Sequence, residues 1–269
     1  MLEWDPNKID YKVSRPLARQ PLSVVIITKN AAGQLGACLE SASFADDIVV
    51  IDSGSTDGTA ELAAERGARV MQKEWLGFGR QKQFAVEAAR NDWVLCLDAD
   101  ECVSEALRAS ILAALAAPAA QAYAMPRCNR FLGRWLRHGE GYPDWSLRLF
   151  DRRHARWSDD PVHEKVVTAA SVGRLSGDLL HDTAEVLDAY LEKQNRYTSM
   201  QAEALYKAGA RANMVQLLLS PALRFVKFYF LRLGFMDGAA GLVHIAIGCC
   251  NSFHKYAKLM ALQRINSSR

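Results

Sequence analysis

The chain lacks the cysteine patterns that mark zinc sites and disulfide frameworks. It contains six cysteines in 269 residues, and none of them forms a C-x-x-C pair. Adjacent cysteines such as Cys249 and Cys250 rarely bridge each other, because the geometry is strained. We therefore expect buried, reduced thiols in a cytosolic protein.

Signals of several other protein classes are also missing. The opening MLEWDPNKIDYKVSRP has no apolar run, so we expect no secretory signal. The net charge of +3 is too small to argue for nucleic acid, and neither G-x-G-x-x-G nor a Walker loop occurs. What the chain does have is 50% hydrophobic and 23% charged residues, which excludes disorder and allows a sizeable core.

Apolar runs alternate with helical patterns in the first hundred residues. SVVIITKN, DIVVIDS, ARVMQ and DWVLCLDAD are typical of buried strands, whereas QLGACLESAS and GRQKQFAVEAAR are typical of helices. This alternation predicts an α/β fold with a mostly parallel, doubly wound sheet and flanking helices. Beyond a predicted helix at 103–117, short aromatic strands predict a mixed, antiparallel extension that walls a pocket.

Polar side chains follow three of the predicted strands. In doubly wound sheets, ligands bind beyond the carboxyl ends of the strands. We therefore expect a binding site where these polar clusters meet. The clusters are Thr28–Asn30, Asp52–Asp57 and Asp98–Asp100.

The first two clusters suit a nucleoside. Asp52 could accept a hydrogen bond from a nucleobase or a ribose hydroxyl, and Thr28 and Asn30 could contact the edge of the base. The alternative is ordinary turn chemistry, in which Asp57 or Ser55 caps the next helix.

The third cluster contains a D-x-D motif, Asp98 and Asp100, at the end of a buried strand. Mg²⁺ and Mn²⁺ prefer a few carboxylate oxygens and complete their coordination with water and phosphate. Such an ion would neutralise a leaving diphosphate. The alternative is an acidic helix N-cap, because Asp100 and Glu101 precede the predicted helix.

A glycine-rich segment, WLGFGRQKQFA, opens another predicted helix. Gly77 and Gly79 allow a close approach of the backbone, so that N–H groups and Arg80 or Lys82 could meet a phosphate. The alternative is a glycine-rich turn followed by a solvated basic helix face.

Taken in order, TKN, IDSGSTDG, GFGRQK and DAD resemble family 2 glycosyltransferases with the GT-A fold. The segments GFGRQK, WSLRLF, PVHE and YLEKQNRYT resemble lipopolysaccharide core glucosyltransferases that modify inner-core heptose. We expect an N-terminal arm at 1–20, a GT-A Rossmann-like domain at 21–183 and a C-terminal helical, membrane-associating region at 184–269.

The resemblance implies a role for each motif residue. Thr28, Asn30, Asp52 and Asp98 would contact the nucleoside of a nucleotide diphosphate sugar, most simply UDP-glucose. Asp100 would hold a divalent cation, Mg or Mn, against the diphosphate. The expected reaction inverts the anomeric carbon and transfers a hexose to a hydroxyl of a lipopolysaccharide core acceptor.

The resemblance also implies an acidic residue that removes the acceptor proton. Glu164 in PVHEK is the best match, with Asp160 as its rival. His181 could be a second metal ligand, and Trp145 and Arg148 are expected to line the acceptor side. The alternatives are a solvated glutamate, a structural histidine, and ordinary packing of the last two residues.

The last third of the chain is apolar and aromatic, with recurring cations. This mixture predicts interfacial helices on the anionic inner face of the cytoplasmic membrane. Asp237 and His244 interrupt a transmembrane span, and the alternative is a helix hairpin packed on the catalytic domain. The cations are Arg224, Lys227, Arg232, Lys255 and Lys258.

Other functions are compatible with parts of this pattern. A nucleotidyltransferase would need a glycine-rich phosphate loop after its first strand, where this chain has TKNAAGQLG. An exopolysaccharide or other glycan glycosyltransferase of the same family, and a catalytically inactive scaffold that binds sugar nucleotide, remain as alternatives.

Overall fold

The computed structural model describes residues 19–160, 164–183 and 186–267. Most of the predicted arm, residues 161–163 of the PVHE motif and the first two residues of the predicted C-terminal region lie outside the described residues. The strands are β1 Leu22–Thr28, β2 Asp47–Asp52, β3 Arg69–Gln72, β4 Trp93–Asp98, β5 Glu101–Val103, β6 Ala122–Phe131, β7 Arg134–Trp135, β8 Asp144–Asp151, β9 Ala155–Trp157, β10 Val166–Thr168, β11 Val172–Arg174 and β12 Leu179–His181. The helices between these strands are α1 Ala32–Ser41, α2 Thr59–Glu65, α3 Phe78–Ala88 and α4 Glu105–Ala116.

The main sheet confirms the predicted α/β architecture. Its order is β3-β2-β1-β4-β8-β6-β12-β5, with β7 and β11 also paired to β6. The first four strands are parallel to one another, whereas β8 is antiparallel to both β4 and β6. A parallel half that carries the strand-end motifs thus continues into the mixed extension.

Alternate residues of the central strand face two different cores. Val24 and Ile26 of β1 belong to the core cluster that includes residues of α1 and α4. Val25 and Ile27 belong to the cluster that includes residues of α3. Burial on both faces explains why this strand is a continuous apolar run.

The C-terminal region is helical, as predicted. It contains α5 Leu187–Lys207, α6 Met214–Phe225, a π-helical turn Val226–Leu231, a 3₁₀ turn Gly234–Asp237 and α7 Gly238–Ser267. Helices α5 and α6 both pack on α7. The buried Asp237 accepts the backbone N–H groups of Arg137 and His138, at 3.0 and 2.8 Å. This carboxylate thereby joins the helical region to the loop before β8.

The starts of two helices test the capping alternatives. Glu101 begins strand β5, and α4 is capped by Ser104, whose hydroxyl accepts the Leu107 N–H. The N-cap residue of α2 is Gly58, but the Asp57 carboxylate does accept the N–H of Thr59, the first residue of α2, and also that of Ala32, the first residue of α1. Helix capping therefore accounts for neither Asp100 nor Glu101.

One helical stretch is long and apolar enough to cross a membrane. In the described part of the chain, this stretch is Met214–Leu231, which covers 18 residues with a mean hydropathy of 1.3 and has Leu217 as its buried residue. The two polar residues expected to interrupt a span, Asp237 and His244, lie beyond it.

Candidate active site

The carboxyl ends of three parallel strands meet at one edge of the sheet. Thr28 of β1 is in register with Asp52 of β2, and Ile27 is in register with Asp98 of β4. The structure therefore brings together the strand ends that carry the predicted nucleoside-binding residues.

The Asp52 carboxylate organises the loop that follows it. It is fully buried and accepts the backbone N–H groups of Gly54 and Ser55, at 3.1 and 2.9 Å, together with the Ser55 hydroxyl. Asn30 links this loop to the end of β1, because its Oδ1 accepts the Thr56 N–H at 2.9 Å. Among the described residues, the buried Thr28 hydroxyl has no hydrogen-bond partner. An unpaired buried hydroxyl favours a ligand at this edge.

Asp98 lies between two buried cations. Lys82 Nζ is 3.1 Å from Asp98 Oδ1, and Arg148 Nη2 donates to Asp98 Oδ2 at 2.8 Å. The same Arg148 nitrogen donates to Glu101 Oε1 at 2.8 Å, and Glu101 Oε2 accepts the Asp98 N–H at 3.0 Å. Lys82, Arg148 and Glu101 thus hold the first aspartate of the D-x-D motif. We call Asp98 and these three residues the Asp98 cluster.

Electrostatic attraction outweighs burial in setting the pKa values of Asp98 and Arg148. Burial would raise the pKa of Asp98, but Arg148 and Lys82 outweigh it and hold that pKa well below its usual range. Burial would lower the pKa of Arg148, but Glu101 and Asp98 raise it far above its usual value. The lowered pKa of Asp98 contributes stability above about pH 4, and this contribution is lost as the pH falls through the folded-state pKa.

Removing the arginine from this cluster should be costly. Arg148→Met is expected to lower the free energy of unfolding by about 3–5 kcal/mol at pH 7, because two carboxylates lose their shared donor in a largely buried place. The loss of unfolding free energy should be smaller near pH 4, because protonation of the carboxylates in the variant relieves the repulsion between Asp98 and Glu101. Denaturant unfolding of Arg148→Met and of the control Arg80→Met at both pH values measures this, since Arg80 is exposed on α3. Equal losses in the two variants would contradict the assignment.

The second D-x-D aspartate faces a histidine. His181 Nε2 lies 3.4 Å from Asp100 Oδ2, and His181 Nδ1 lies 2.7 Å from Asn129 Oδ1. With Nδ1 beside the Asn129 amide oxygen, the other ring nitrogen of His181 faces the Asp100 carboxylate. An imidazole nitrogen and a carboxylate oxygen are donor types that suit Mn²⁺. Asp100 and His181 therefore fit a divalent ion.

The described residues contain no cluster of three or more His, Cys, Asp or Glu that could hold a metal on its own. An ion beside Asp100 and His181 would thus need oxygen ligands from outside the protein, as expected for an ion that also binds a diphosphate.

A cavity of about 370 Å³ is lined by the predicted base, Glu164, and by both predicted acceptor-side residues, Trp145 and Arg148. Glu164 Oε1 lies 3.6 Å from Lys82 Nζ, so this cavity adjoins the Asp98 cluster. Trp145 is 42% exposed and has Arg174 over its ring at 4.7 Å. The lining residues are Lys82, Arg127, Trp145, Ser146, Leu147, Arg148, Trp157, Glu164, Lys165 and Val166.

The glycine-rich segment permits the close packing of this wall. Gly77, with a φ of 93°, is the N-cap of α3, and a Cβ atom at Gly79 would collide with the Ser158 carbonyl oxygen. The same Cβ would lie 3.3 Å from Glu164 Cβ. Gly79 therefore lets the start of α3 approach the segment that carries Glu164.

The remaining predicted residues lie further from these contacts. Arg80 is exposed on α3, whereas Lys82 on the same helix turns inward to Asp98. Asp160 is exposed and does not line the cavity that contains Glu164. Contact of Arg80 or Lys82 with phosphate stays a prediction.

Sequence reasoning missed three residues that build this site. Glu101 was considered only as a helix cap, although its position directly after D-x-D was a signal. Arg127 binds Asp144 at 2.7 Å and reaches within 3.6 Å of Glu101, while Trp157 has Lys82 over its ring at 4.8 Å. No sequence signal marks the last two, since their roles depend on strands that pair far along the chain.

Comparison with known proteins places this site in a family. The model of glycosyl transferase family 2 matches residues 23–174. The chain belongs to glycosyl transferase family 2. Its parallel half, the D-x-D turn after β4 and the mixed extension form the GT-A fold of this family 2 enzyme.

Relatives in several bacteria match nearly the whole chain. The lipopolysaccharide core biosynthesis glycosyltransferase LpsC of Rhizobium meliloti is 32% identical over 251 residues, which cover 90% of this chain and 93% of the relative. An uncharacterized glycosyltransferase of Rickettsia typhi is 30% identical over 254 residues, covering 90% and 87%. This family 2 glycosyltransferase is therefore similar, along most of its length, to a lipopolysaccharide core enzyme.

Solved structures match a smaller part. Glucosyl-3-phosphoglycerate synthase from Mycobacterium tuberculosis, crystallised with Mn²⁺, UDP and glucosyl-3-phosphoglycerate, is 24% identical with a TM-score of 0.36. The match covers 41% of this chain and 44% of the synthase chain. Such a partial likeness carries no argument about ligands.

Proposed function

We propose that this family 2 enzyme transfers a hexose, with inversion, from a nucleotide diphosphate sugar to a hydroxyl of a lipopolysaccharide core acceptor. The observation that carries the proposal is the joint position of Glu164, Trp145 and Arg148 around one cavity next to the D-x-D turn. Glucose from UDP-glucose is the donor we favour, and the similarity to LpsC supports the acceptor class. An acceptor from another glycan is the alternative within the family.

Glu164 acts as the general base in this proposal. Its carboxylate takes the proton of the acceptor hydroxyl while that oxygen attacks the anomeric carbon, opposite the departing diphosphate. A single displacement of this kind inverts the anomeric centre. Lys82 Nζ lies 3.6 Å from the Glu164 carboxylate, and Trp145 offers an aromatic face to the sugar.

Asp100 and His181 would hold the divalent cation, Mg or Mn. When bound, the ion supplies positive charge that stabilises the diphosphate leaving group. Asn129 would orient His181 through the ring nitrogen that faces away from Asp100.

The product tests the proposed reaction. UDP-glucose carries an α-linked sugar, so the enzyme should form a β-linked glucoside on a lipopolysaccharide core acceptor. The anomeric proton coupling in the NMR spectrum of the product distinguishes the two linkages. An α-linked product would rule out single displacement, and no product with any core acceptor would favour another glycan or the inactive scaffold.

We also propose that the C-terminal region attaches the enzyme to the inner face of the cytoplasmic membrane. The outward face of α6 and the following turns is apolar, and residues 204–236 contain five Lys or Arg and no Asp or Glu. This composition suits an anionic leaflet. The exposed apolar residues are Met214, Val215, Leu218, Leu219, Leu223, Val226, Phe230 and Leu231.

Contacts of α6 support attachment along the surface instead of a membrane span. Arg224, within the apolar stretch, pairs with Glu140 and donates to Ser252 of α7 at 3.1 Å. Gly248 of α7 lies against the same Glu140 carboxylate. A helix that crossed the bilayer would have to give up these contacts. Failure of the full chain to float with anionic vesicles at low salt would contradict the attachment.

A further inference from the structure

Two exposed leucines adopt left-handed backbone conformations. Leu132 has a φ of 46° and is 56% exposed, and Leu233 has a φ of 55° and is 45% exposed. Within the described ranges, the other non-glycine residue with positive φ is Asn30, whose side-chain type tolerates this region. Neither local preference nor core packing accounts for a leucine at these places. An apolar contact outside the protein would do so.

Leu132 is at the tip of a tight hairpin. It lies with Gly133, which has a φ of 77°, between the paired residues Phe131 of β6 and Arg134 of β7. Two-residue turns with positive φ at both positions favour Asn-Gly. The first position of this hairpin holds instead an exposed apolar side chain that belongs to neither buried core cluster.

The hairpin joins the apolar surface of the C-terminal region. Arg134 Nη2 donates to the Met236 carbonyl at 2.9 Å, and the Gly139 N–H donates to the Arg232 carbonyl at 2.8 Å. These bonds attach the hairpin and the loop after it to the turn that carries Leu233. That turn continues the apolar face of α6 through the exposed side chains of Leu231, Leu233, Phe235 and Met236.

The two chain segments that form this surface carry cations but no carboxylates of their own. Residues 126–139 contain four arginines and no Asp or Glu. Residues 204–236 contain five Lys or Arg and likewise no Asp or Glu. Some of these cations are paired, but Arg134, Lys227 and Arg232 have no carboxylate partner in the described part of the chain. Apolar side chains beside unpaired cations match an anionic bilayer surface.

We propose that the β6–β7 hairpin is a second membrane contact, made by the catalytic domain itself, with Leu132 inserted among lipid headgroups. The proposal rests on the membrane attachment of α6.

The hairpin lies at the same edge of the sheet as the active site. Strand β8 is antiparallel to both β4 and β6, so β4 and β6 run in the same direction: β8 pairs Asp151 with Trp93 at the start of β4, and Asp144 with Arg127 near the end of β6. The hairpin therefore extends from the sheet edge where β4 ends at Asp98. Both contacts turn this edge to the bilayer, so the acceptor hydroxyl is taken from a membrane-resident glycolipid.

Leu132→Asn separates a membrane role from a structural one. Asparagine suits left-handed backbone better than leucine, so the variant should unfold at the same or a higher temperature. Its affinity for phosphatidylcholine–phosphatidylglycerol vesicles at low salt should nevertheless fall roughly 3- to 10-fold, because one apolar anchor is lost. Val172→Asn is the matched control, since Val172 is 48% exposed and pairs with Ala122 at the other end of β6.

Vesicle flotation and thermal unfolding of the full chain decide between the outcomes. Weaker flotation of Leu132→Asn alone, with unchanged UDP-glucose binding, supports the hairpin contact. If wild type and Leu132→Asn float equally, the hairpin proposal is overturned while the attachment of α6 stands. If the wild type does not float with these vesicles, the proposed attachment is wrong and the hairpin proposal is overturned with it.

Discussion

Glu164→Gln should lower kcat for sugar transfer by roughly 10²- to 10⁴-fold, the contribution expected of a positioned general base. Glutamine keeps the volume of the side chain but cannot take the proton of the acceptor hydroxyl. The binding of UDP-glucose should change little, because Lys82 remains paired with Asp98 at 3.1 Å when the Glu164 charge is removed. Single-turnover transfer and calorimetric donor binding, measured on the same preparation, test both statements.

Asp160→Asn is the matched control for this variant. Asp160 is the predicted rival of Glu164 in the same segment, but it is exposed and does not line the cavity. We expect its loss to change kcat by no more than a few-fold. A large loss in Asp160→Asn with an active Glu164→Gln would move the base to Asp160. Loss of donor binding in Glu164→Gln would remove Glu164 from the base role.

Of the proposed substitutions, Asp100→Ala should weaken the binding of the donor most. Asp100 and His181 are the proposed protein ligands of the divalent ion, and their facing atoms are 3.4 Å apart. Even outer-shell partners of metal ligands are worth roughly 10–100-fold in metal affinity, so loss of a ligand should exceed this. We expect the affinity for UDP-glucose in the presence of Mn²⁺ to fall by at least roughly 100-fold.

Asp182→Ala is a suitable control for this loss. Asp182 follows His181, but its carboxylate binds Arg130 at 2.7 Å on the surface. Its removal lowers the local negative charge by the same amount without removing a proposed ligand. Donor binding that falls equally in both variants would indicate a general electrostatic effect.

Local patterns were sufficient to predict the strands that carry the site. DWVLCLDAD contains β4 and its D-x-D turn, and AYAMPRCNRF corresponds to all of β6. Burial on both faces produces a continuous apolar run, which can be recognised within a few residues. The adjacency of Thr28, Asp52 and Asp98 then follows from parallel pairing, because parallel strands end at the same edge.

Long-range pairing could not be predicted in the same way. Arg148 was expected on the acceptor side; it does line the cavity, but it is buried and binds Asp98 and Glu101, which are 50 and 47 residues away. The left-handed Leu132 was unpredictable for a different reason, since the sequence Phe-Leu-Gly-Arg lacks the asparagine that usually marks such a turn. The environment of Arg148 comes from strands distant in the chain, whereas Leu132 lies between two consecutive strands.

Calorimetric titration of UDP-glucose, with and without Mn²⁺, into the wild type and Asp100→Ala is the decisive measurement of donor binding at the D-x-D turn. We predict binding by the wild type that requires Mn²⁺ and is lost in the variant. Equal binding without Mn²⁺, or unchanged binding by Asp100→Ala, would contradict a metal-dependent donor site at the D-x-D turn.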